Sequence, residues 1–417
     1  MSATATITRE EALLRLAEIA GPEHARAEGD ALRVEPADAE QVAAVLRFAN
    51  ECGLSVVPTG SGTKLGWGNP VAPEIFLGLE RMHAVRDHAW QDMTCTVEAG
   101  CTWAAIEREL ARHGQMVALD PLWPERATVG GVLSTNDSGA MRLRYGGLRD
   151  LVIGMTMVLA DGTIAKSGGK VVKNVAGYDL HKLMTGSFGT LGVITEVNFR
   201  LHPVEQDART FTVTAQYATQ LAGPLAELLH EQIALSAVQV RTAAGQCALD
   251  VRLCTRSECL DGHAEKLRSV FGAQAIEEVD ERVWQAREQL FADESATVVK
   301  ASLRPAETCA IADTVKELAV AKSIEASIVA QATGLMTAAL APRGGAKPED
   351  VTDLVETLRA RLRPAGGSVV VMKMPGAMRG TIDVWDCGSD ALPLMREVKR
   401  RFDANRILSP GRFVGGI

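Results

Sequence analysis

Leu119-Asp120-Pro121-Leu122-Trp123-Pro124-Glu125-Arg126-Ala127-Thr128-Val129-Gly130-Gly131 opens the stretch on which the reading of this chain turns. It continues through Asn136-Asp137-Ser138-Gly139-Ala140 and Arg144-Tyr145-Gly146-Gly147. It closes with Gly177-Tyr178-Asp179-Leu180 and Gly186-Ser187-Phe188-Gly189-Thr190-Leu191-Gly192-Val193-Ile194-Thr195. Glycine lets a backbone come close to a ligand, and here it clusters between runs of Val, Leu and Ile. That is not the composition of a linker. It is the pattern of backbone folded against something flat and phosphorylated. Between the two halves, Met155 to Lys166 reads as a hairpin turning at Asp161-Gly162. A type I′ turn, with positive φ at both central residues, is expected there.

Working outward toward the N-terminus, Thr8 with Glu11 forms a capping-box signal for a helix whose apolar stripe is Leu13, Leu14, Ala17 and Ile19. Leu32 to Val34 reads as a strand. Asp38 with Gln41 caps a second helix, with Val42, Val45, Leu46, Ala49 and Cys52 on its apolar face and Gly53 at its end. Leu54 to Val57 reads as a buried strand. This β-α-β unit leads into Pro58-Thr59-Gly60-Ser61-Gly62-Thr63-Lys64-Leu65-Gly66-Trp67-Gly68. Strands at Ile75 to Leu79 and Met93 to Glu98 follow, then a helix capped by Thr102 that carries Trp103, Ile106 and Leu110.

Toward the C-terminus, the glycine motifs stop after His202-Pro203. Strand patterns at 210–215, 237–241, 248–253, 296–303, 326–330 and 368–374 alternate with amphipathic helices, one of them over 348–362 with Val351, Leu354, Val355 and Leu358 on one face. This predicts an α+β region packed on one antiparallel sheet. A last helix over 391–404 runs into Asn405-Arg406-Ile407-Leu408-Ser409-Pro410-Gly411-Arg412-Phe413, whose character is that of the first half. The expected domains are therefore 1–204, 205–390, and a segment 391–417 returning to the first.

The totals narrow the function. The chain has 417 residues, a net charge of −8 and 4% aromatics. Acidic balance with few aromatics argues against a nucleic-acid partner. The N-terminus has no charged leader with an apolar core, and no run approaches a membrane span. A cytoplasmic location is expected, with membrane association only through partners. Cys52, Cys95, Cys101, Cys247, Cys254, Cys259, Cys309 and Cys387 form no Cys-x-x-Cys pair. They read as reduced, semi-buried hydrophobes rather than as iron–sulfur or zinc ligands.

The loop from Thr59 to Gly68 carries four glycines with interleaved hydroxyls after a strand. Successive amides in such a turn make a nest suited to a pyrophosphate. It is not a Walker A loop, since Leu65 follows Lys64, and it is not a Rossmann fingerprint, since Gly66-Trp67-Gly68-Asn69-Pro70 cannot open a helix. Alone it reads equally as a surface turn. Thr128-Val129-Gly130-Gly131 supplies a second glycine pair at a helix start, where free N–H donors are expected.

Taken in order, these motifs resemble the FAD-binding domain of the vanillyl-alcohol oxidase / p-cresol methylhydroxylase (PCMH) family. The resemblance covers the first half of the chain and its last twenty residues. Lys170-Val171-Val172-Lys173-Asn174-Val175-Ala176-Gly177-Tyr178-Asp179-Leu180 and Gly186 to Val197 bring it closest to FAD-binding E-type subunits of bacterial glycolate oxidase. It implies an α+β fold class: a two-subdomain PCMH-type FAD-binding domain with an α+β cap domain. Also implied are a D-type flavoprotein partner, an iron–sulfur subunit, and a small 2-hydroxy acid, glycolate, oxidised to glyoxylate.

By the same resemblance, Pro58, Thr59, Gly60, Ser61, Gly62 and Thr63 hold the pyrophosphate, supported by Thr128, Gly130 and Gly131. Asn136, Ser138 and Gly139 lie along the ribityl and isoalloxazine region. Gly192, Val193 and Ile194 serve the adenine side, and Ser409, Pro410 and Gly411 come near the flavin. Three departures matter. Thr63 stands where covalent relatives tether the flavin through His, which implies non-covalent FAD. Phe188 replaces a common Glu. The cap holds only His230 and His263, so no metal site is expected there.

Oxidising a 2-hydroxy acid needs a cation for the carboxylate, a base, and the flavin. Arg142, Arg144, Arg149, Lys170 and Lys173 are cations in the right stretch, each equally readable as surface or structural. His181 is the base candidate of the domain core, against a packing role. Tyr145 and Tyr178 read as loop supports. No catalytic residue is assigned. Three functions follow: a FAD-binding subunit dependent on partners, a self-sufficient dehydrogenase of another D-2-hydroxy acid such as D-lactate, and a non-catalytic scaffold.

Overall fold

The computed structural model describes residues 7–170, 177–243, 245–272, 274–378, 380–386 and 390–417. The chain divides into two compact units. One comprises Met1–Ser138, Gly147–Val204 and Ser389–Ile417; the other comprises Gly139–Gly146 and Glu205–Gly388.

In the first unit, helix α1 (Arg9–Ala20) begins with the expected capping box between Thr8 and Glu11. Its buried line is Ala12, Leu16 and Ala20, while Leu14 is 67% exposed. The three buried residues lie at i, i+4 and i+8 on one helix face, with Leu16 inserted fully into the core between two alanines, and Leu13, Ala17 and Ile19 flank that contact. Strands β1 (Ala25–Glu28), β2 (Ala31–Val34), β3 (Val56–Thr59) and β4 (Ile75–Gly78) form a sheet in the order β1-β2-β4-β3, parallel from β2 onward. Helix α2 (Ala39–Cys52) crosses between β2 and β3, capped by Asp38 and closed by left-handed Gly53. Strand β3 starts later than the apolar pattern suggests, because the Leu54 amide still bonds the Ala49 carbonyl of the helix end.

A second sheet contains β5 (Val85–Ala89), β6 (Thr94–Glu98), β8 (Val152–Val158), β9 (Ile164–Gly168) and β10 (Val193–Arg200), ordered β5-β6-β10-β8-β9 and antiparallel throughout. The short β7 (Gln115–Met116) pairs with β11 (His202–Pro203). Helices α3 (Trp103–Ala111) and α4 (Val129–Thr135) lie between β6 and β8 in the chain. The β8–β9 connection is not a two-residue type I′ turn. Only Gly162 has positive φ, and Asp161 instead accepts the Thr163 amide at 2.9 Å. One core joins both sheets through Leu46, Ile75, Leu77, Trp103, Leu133 and Phe199.

The second unit is built on one eight-stranded antiparallel sheet: β12 (Asp207–Ala215), β13 (Leu235–Ala243), β14 (Gln246–Thr255), β15 (Ile276–Val279), β16 (Thr297–Ser302), β17 (Ile324–Gln331), β18 (Leu335–Pro342) and β19 (Ser368–Lys373). Its order is β15-β12-β14-β13-β17-β18-β16-β19. Two of these strands carry no sequence signal. Strand β15 is a short charged edge, and β18 is buried on both faces, which erases the alternation that marks a strand. The helix Pro348–Leu362 buries Val351, Leu354, Val355 and Leu358 against this sheet's core. Gly139–Gly146 groups here for three local reasons. Leu143 packs on the core, the Arg144 guanidinium donates to the Cys254 carbonyl at 2.8 Å, and the Tyr145 hydroxyl donates to Glu205 at 2.8 Å.

The tail rejoins the first unit. The Val56 amide donates to the Ile407 carbonyl at 2.7 Å, and the Ser409 amide donates to the Val56 carbonyl at 2.8 Å. On the C-terminal helix Leu392–Phe402, the buried Lys399 ammonium donates to the Thr190 carbonyl, the Leu408 carbonyl and Asp403 at 2.7–2.8 Å. Burial holds Lys399 below the usual lysine range, and Asp403 opposes that shift. Asp403 is itself buried and also takes the Ile407 and Leu408 amides. Removing one partner of such a pair leaves a buried charge uncompensated. Lys399→Met is therefore expected to destabilise the chain by about 3–5 kcal/mol in urea unfolding; a loss below about 1 kcal/mol would show the tail to be held without it.

Candidate functional site

Strand β3 ends in the glycine loop, and the loop floors a cleft of about 660 Å³, counted with the solvent space at its mouth. Pro58 through Leu65 form one side. Leu79, Ala99, the α4 cap Thr128 and the α4 residues Gly130, Gly131, Ser134 and Thr135 line another part, and Phe188, Gly189, Gly192, Ile194 and Arg412 complete the lining.

Among the described residues, the amides of Gly60, Ser61, Gly62 and Thr63 donate no hydrogen bond within the chain. Ser61 and Gly62 are exposed and Gly60 and Thr63 half-buried, so these amides are open to solvent or to a ligand, and successive unbonded amides of this kind form an anion nest. The loop is held from both ends. Thr59 accepts from Arg33 at 3.2 Å, and the Ser61 hydroxyl donates to the Arg126 carbonyl at 2.5 Å. Gly60 is required by crowding, because a Cβ there would stand 2.1 Å from Thr128 Oγ1.

The helix start at Thr128 differs from the expectation. Its first amides are used inside the protein: Val129 donates to the Cys101 carbonyl at 2.9 Å and Gly130 to the Ala99 carbonyl at 2.8 Å. Gly131 turns to the Thr128 hydroxyl at 3.4 Å. The glycine pair is therefore a wall. At Gly130 the wall approaches so closely that an added Cβ would meet Ala99 at 3.1 Å.

Of the residues singled out from the sequence, Pro58 to Thr63, Thr128, Gly130, Gly131, Gly192 and Ile194 share this cleft. Asn136, Ser138, Val193, Ser409, Pro410 and Gly411 are not among its lining, and Gly139 belongs to the second unit. Ser409 lies just behind the wall. Its φ is +42°, and its buried hydroxyl, without a hydrogen-bond partner, sits 3.4 Å from where a Gly189 Cβ would be. Asn136 instead closes α4 in a left-handed conformation.

Sequence reading missed two buried cations of the lining, Lys64 and Arg412. Lys64 lies 3.5 Å from Asp137, over the rings of Trp67 and Trp123 at 5.6 and 5.2 Å. The signal available was adjacency: each directly follows a recognised motif. Among the described residues the lining contains no Asp, Glu or His.

The other candidates disperse. His181 is buried on the helix Leu180–Met184 beside Ser167 at 3.2 Å and does not line the cleft. Lys170 pairs with Asp87, Arg149 donates to the Thr185 carbonyl, and Tyr178 is 90% exposed. Lys173 and the rest of 171–176 lie outside the described residues, as does Cys387. Burial pushes the Cys95 thiol up to about 12 and Cys101 to about 11, which keeps both as inert hydrophobes. His263 accepts the Ala234 amide at 3.3 Å, and among the described residues no cluster of His, Cys, Asp and Glu could hold a metal.

Comparison with known proteins places the cleft in context. Residues 31–168 match the family described as FAD binding domain. The chain is similar to a D-lactate dehydrogenase of Archaeoglobus fulgidus, 39% identical over 43% of this chain and 40% of that protein. It is also similar to the glycolate oxidase subunit GlcD of Bacillus subtilis, 32% identical over 48% of this chain and 43% of that one. The chain thus spans about two fifths of the length of these curated relatives. Over the whole fold it is similar to p-cresol methylhydroxylase, with a TM-score of 0.75 at 16% identity over 97% of this chain and 96% of that one. Residues 31–168 thus match a FAD binding domain, and the chain has the mixed helix-and-sheet fold of p-cresol methylhydroxylase.

Two measurements test this geometry. Gly60→Ala forces Thr128 aside and should lower stability by about 1–3 kcal/mol; an unchanged unfolding midpoint would show that the contact yields freely. For His181, burial is the main cause of a folded pKa below the ordinary 6.5, with Asp179 opposing and Lys182 adding to it. The stability this contributes is complete above pH 6.5 and is lost as the pH falls from there through the folded value. His181→Asn should therefore flatten the fall in melting temperature between about pH 7 and 5; an equally steep fall would exclude His181 as its source.

Proposed function

We propose that this chain binds FAD non-covalently in the cleft and serves in the oxidation of a small 2-hydroxy acid, as the FAD-binding subunit of a glycolate-oxidase-type complex. The carrying observation is the run of unbonded amides from Gly60 to Thr63 inside a domain matched as FAD-binding. The residues fit the cofactor. The nest suits a diphosphate, and the glycine walls suit a flat ligand. Pro58 to Thr63 would hold the diphosphate, with Thr128, Gly130, Gly131, Gly192 and Ile194 walling the site. When bound, FAD supplies the acceptor for the hydride leaving the hydroxyl-bearing carbon.

The protein's own contribution in this reading is binding and exclusion. Among the described residues the lining offers no carboxylate or imidazole. In this reading a D-type flavoprotein and an iron–sulfur subunit serve turnover and onward electron transfer, and similarity to the glycolate oxidase subunit GlcD supports it. Similarity to D-lactate dehydrogenases supports the second reading, a self-sufficient dehydrogenase of D-lactate or a like D-2-hydroxy acid. A colourless, cofactor-free scaffold is the third.

The visible spectrum of the purified chain separates these readings. Yellow protein that releases FAD into an acid supernatant is the expected result. Under anaerobic conditions, glycolate should leave it yellow until the partner flavoprotein is added. Bleaching of the lone chain by glycolate or D-lactate would replace the subunit reading with the second, and a colourless chain unable to take up FAD would overturn both.

A further inference from the structure

Side chains fix the glycine loop to the segment 122–128 beside it. The Ser61 hydroxyl donates to the Arg126 carbonyl at 2.5 Å, and the Lys64 ammonium donates to the Leu122 carbonyl at 3.3 Å. Gly60 is crowded by Thr128. The contacts 60 to 128, 61 to 126 and 64 to 122 therefore run antiparallel along the two segments. The accepting side is itself held. The amides of Arg126 and Ala127 both donate to the Trp123 carbonyl, at 2.9 and 2.7 Å. The carbonyls of Ala127 and Pro124 accept the amides of Trp103 and Ala104 at the start of α3, both at 2.9 Å. The Arg126 carbonyl is thus a fixed point for the loop.

Backbone and side chain of Ser61 are committed differently. Its amide is one of the four that donate no hydrogen bond within the chain, while its hydroxyl is bonded. A hydroxyl has one proton to give. With that proton on the Arg126 carbonyl, the side chain has no donor left for an anion, and a dinucleotide's diphosphate is ionised and donates nothing in return. Only the amide of Ser61 can serve such a ligand. Gly62 follows with φ +76°, the left-handed conformation that alternates with right-handed backbone in an anion nest. Its carbonyl accepts the Leu65 amide at 3.0 Å, which closes the turn. The Ser61 hydroxyl is anchored at the start of that turn, directly before the residue whose φ bends it.

We infer that Ser61 is a positioning residue of the cleft: its hydroxyl, held on the Arg126 carbonyl, aims the loop amides at the diphosphate of a dinucleotide without touching it. This rests on the FAD reading above and deepens it, since the side chain of Ser61 becomes a support and only its amide a ligand.

Apoprotein of the wild type, Ser61→Ala and Ser61→Thr is titrated with FAD and, separately, with ADP, which carries the diphosphate without the flavin. Ser61 and Arg126 are both exposed, and Lys64 still holds the loop, so Ser61→Ala keeps the fold. One hydrogen bond of this kind corresponds to about three- to tenfold in affinity. Ser61→Ala should weaken both ligands by that factor, and Ser61→Thr, which keeps the hydroxyl, should restore both to within about twofold of wild type. A merely structural serine would lower the melting temperature of the apoprotein and leave the ADP affinity unchanged, and that result overturns the inference. Weaker FAD with unchanged ADP would place the effect away from the diphosphate and overturn it as well, and so would a Thr variant as weak as Ala. Each of these leaves the FAD reading standing, because the wild type still binds. A wild type that takes up neither ligand overturns the FAD reading and this inference with it.

Discussion

A single buried ammonium organises the first unit. Lys399 reaches from the last helix to the carbonyl of Thr190, in the second glycine motif, and to the carbonyl of Leu408, in the tail. A buried charge is tolerable only when its hydrogen bonds are all answered, and Asp403 completes the set. Segments more than two hundred residues apart are thereby fixed to one point. Strand β3 depends on it in turn, since its Val56 exchanges both backbone hydrogen bonds with the tail. The loop that leaves β3 inherits that rigidity.

The cleft then follows from what its backbone cannot do. Gly60 cannot carry a side chain against Thr128, and Gly130 cannot move away from Ala99 without losing its bond to that residue's carbonyl. The two walls are pinned to each other, and the amides between them have no internal acceptor. Rigid backbone with unmet donors favours an anionic ligand because little ordering is left for binding to impose. At the helix start of α4 the same logic runs the other way: its amides are already bonded, so it shapes the site without attracting charge.

Within the second unit, polar burial is handled by saturation. Asp250 is fully buried yet accepts from Thr212, Gln239 and Arg241. Arg252 joins Glu205 and Glu281, and Glu205 also takes the Tyr145 hydroxyl. Burial, and then hydrogen bonding to Glu205, push Tyr145 well above the usual phenol range. Such closed networks specify geometry rather than add much stability. They explain why Arg144, a candidate cation in the sequence, and Tyr145, read there as a loop support, both work as anchors.

Local chemistry was legible from the residues alone. The caps at Thr8 and Asp38, the glycine loop after β3, and the helix Pro348–Leu362 all depend on neighbours a few positions apart, so spacing and residue type suffice. Strands β15 and β18 were not legible, because a charged edge and a doubly buried strand both lose the alternation that a half-buried one displays. The sequence likewise named most of the cleft's glycines, since a tight backbone demands them. Only the tertiary structure decided that Arg412 and Lys64 line that cleft, that His181 does not, and that the amides at Thr128 are already spent. Each of these is a matter of contacts between segments far apart in the chain, and no local pattern encodes which carbonyl will meet which donor.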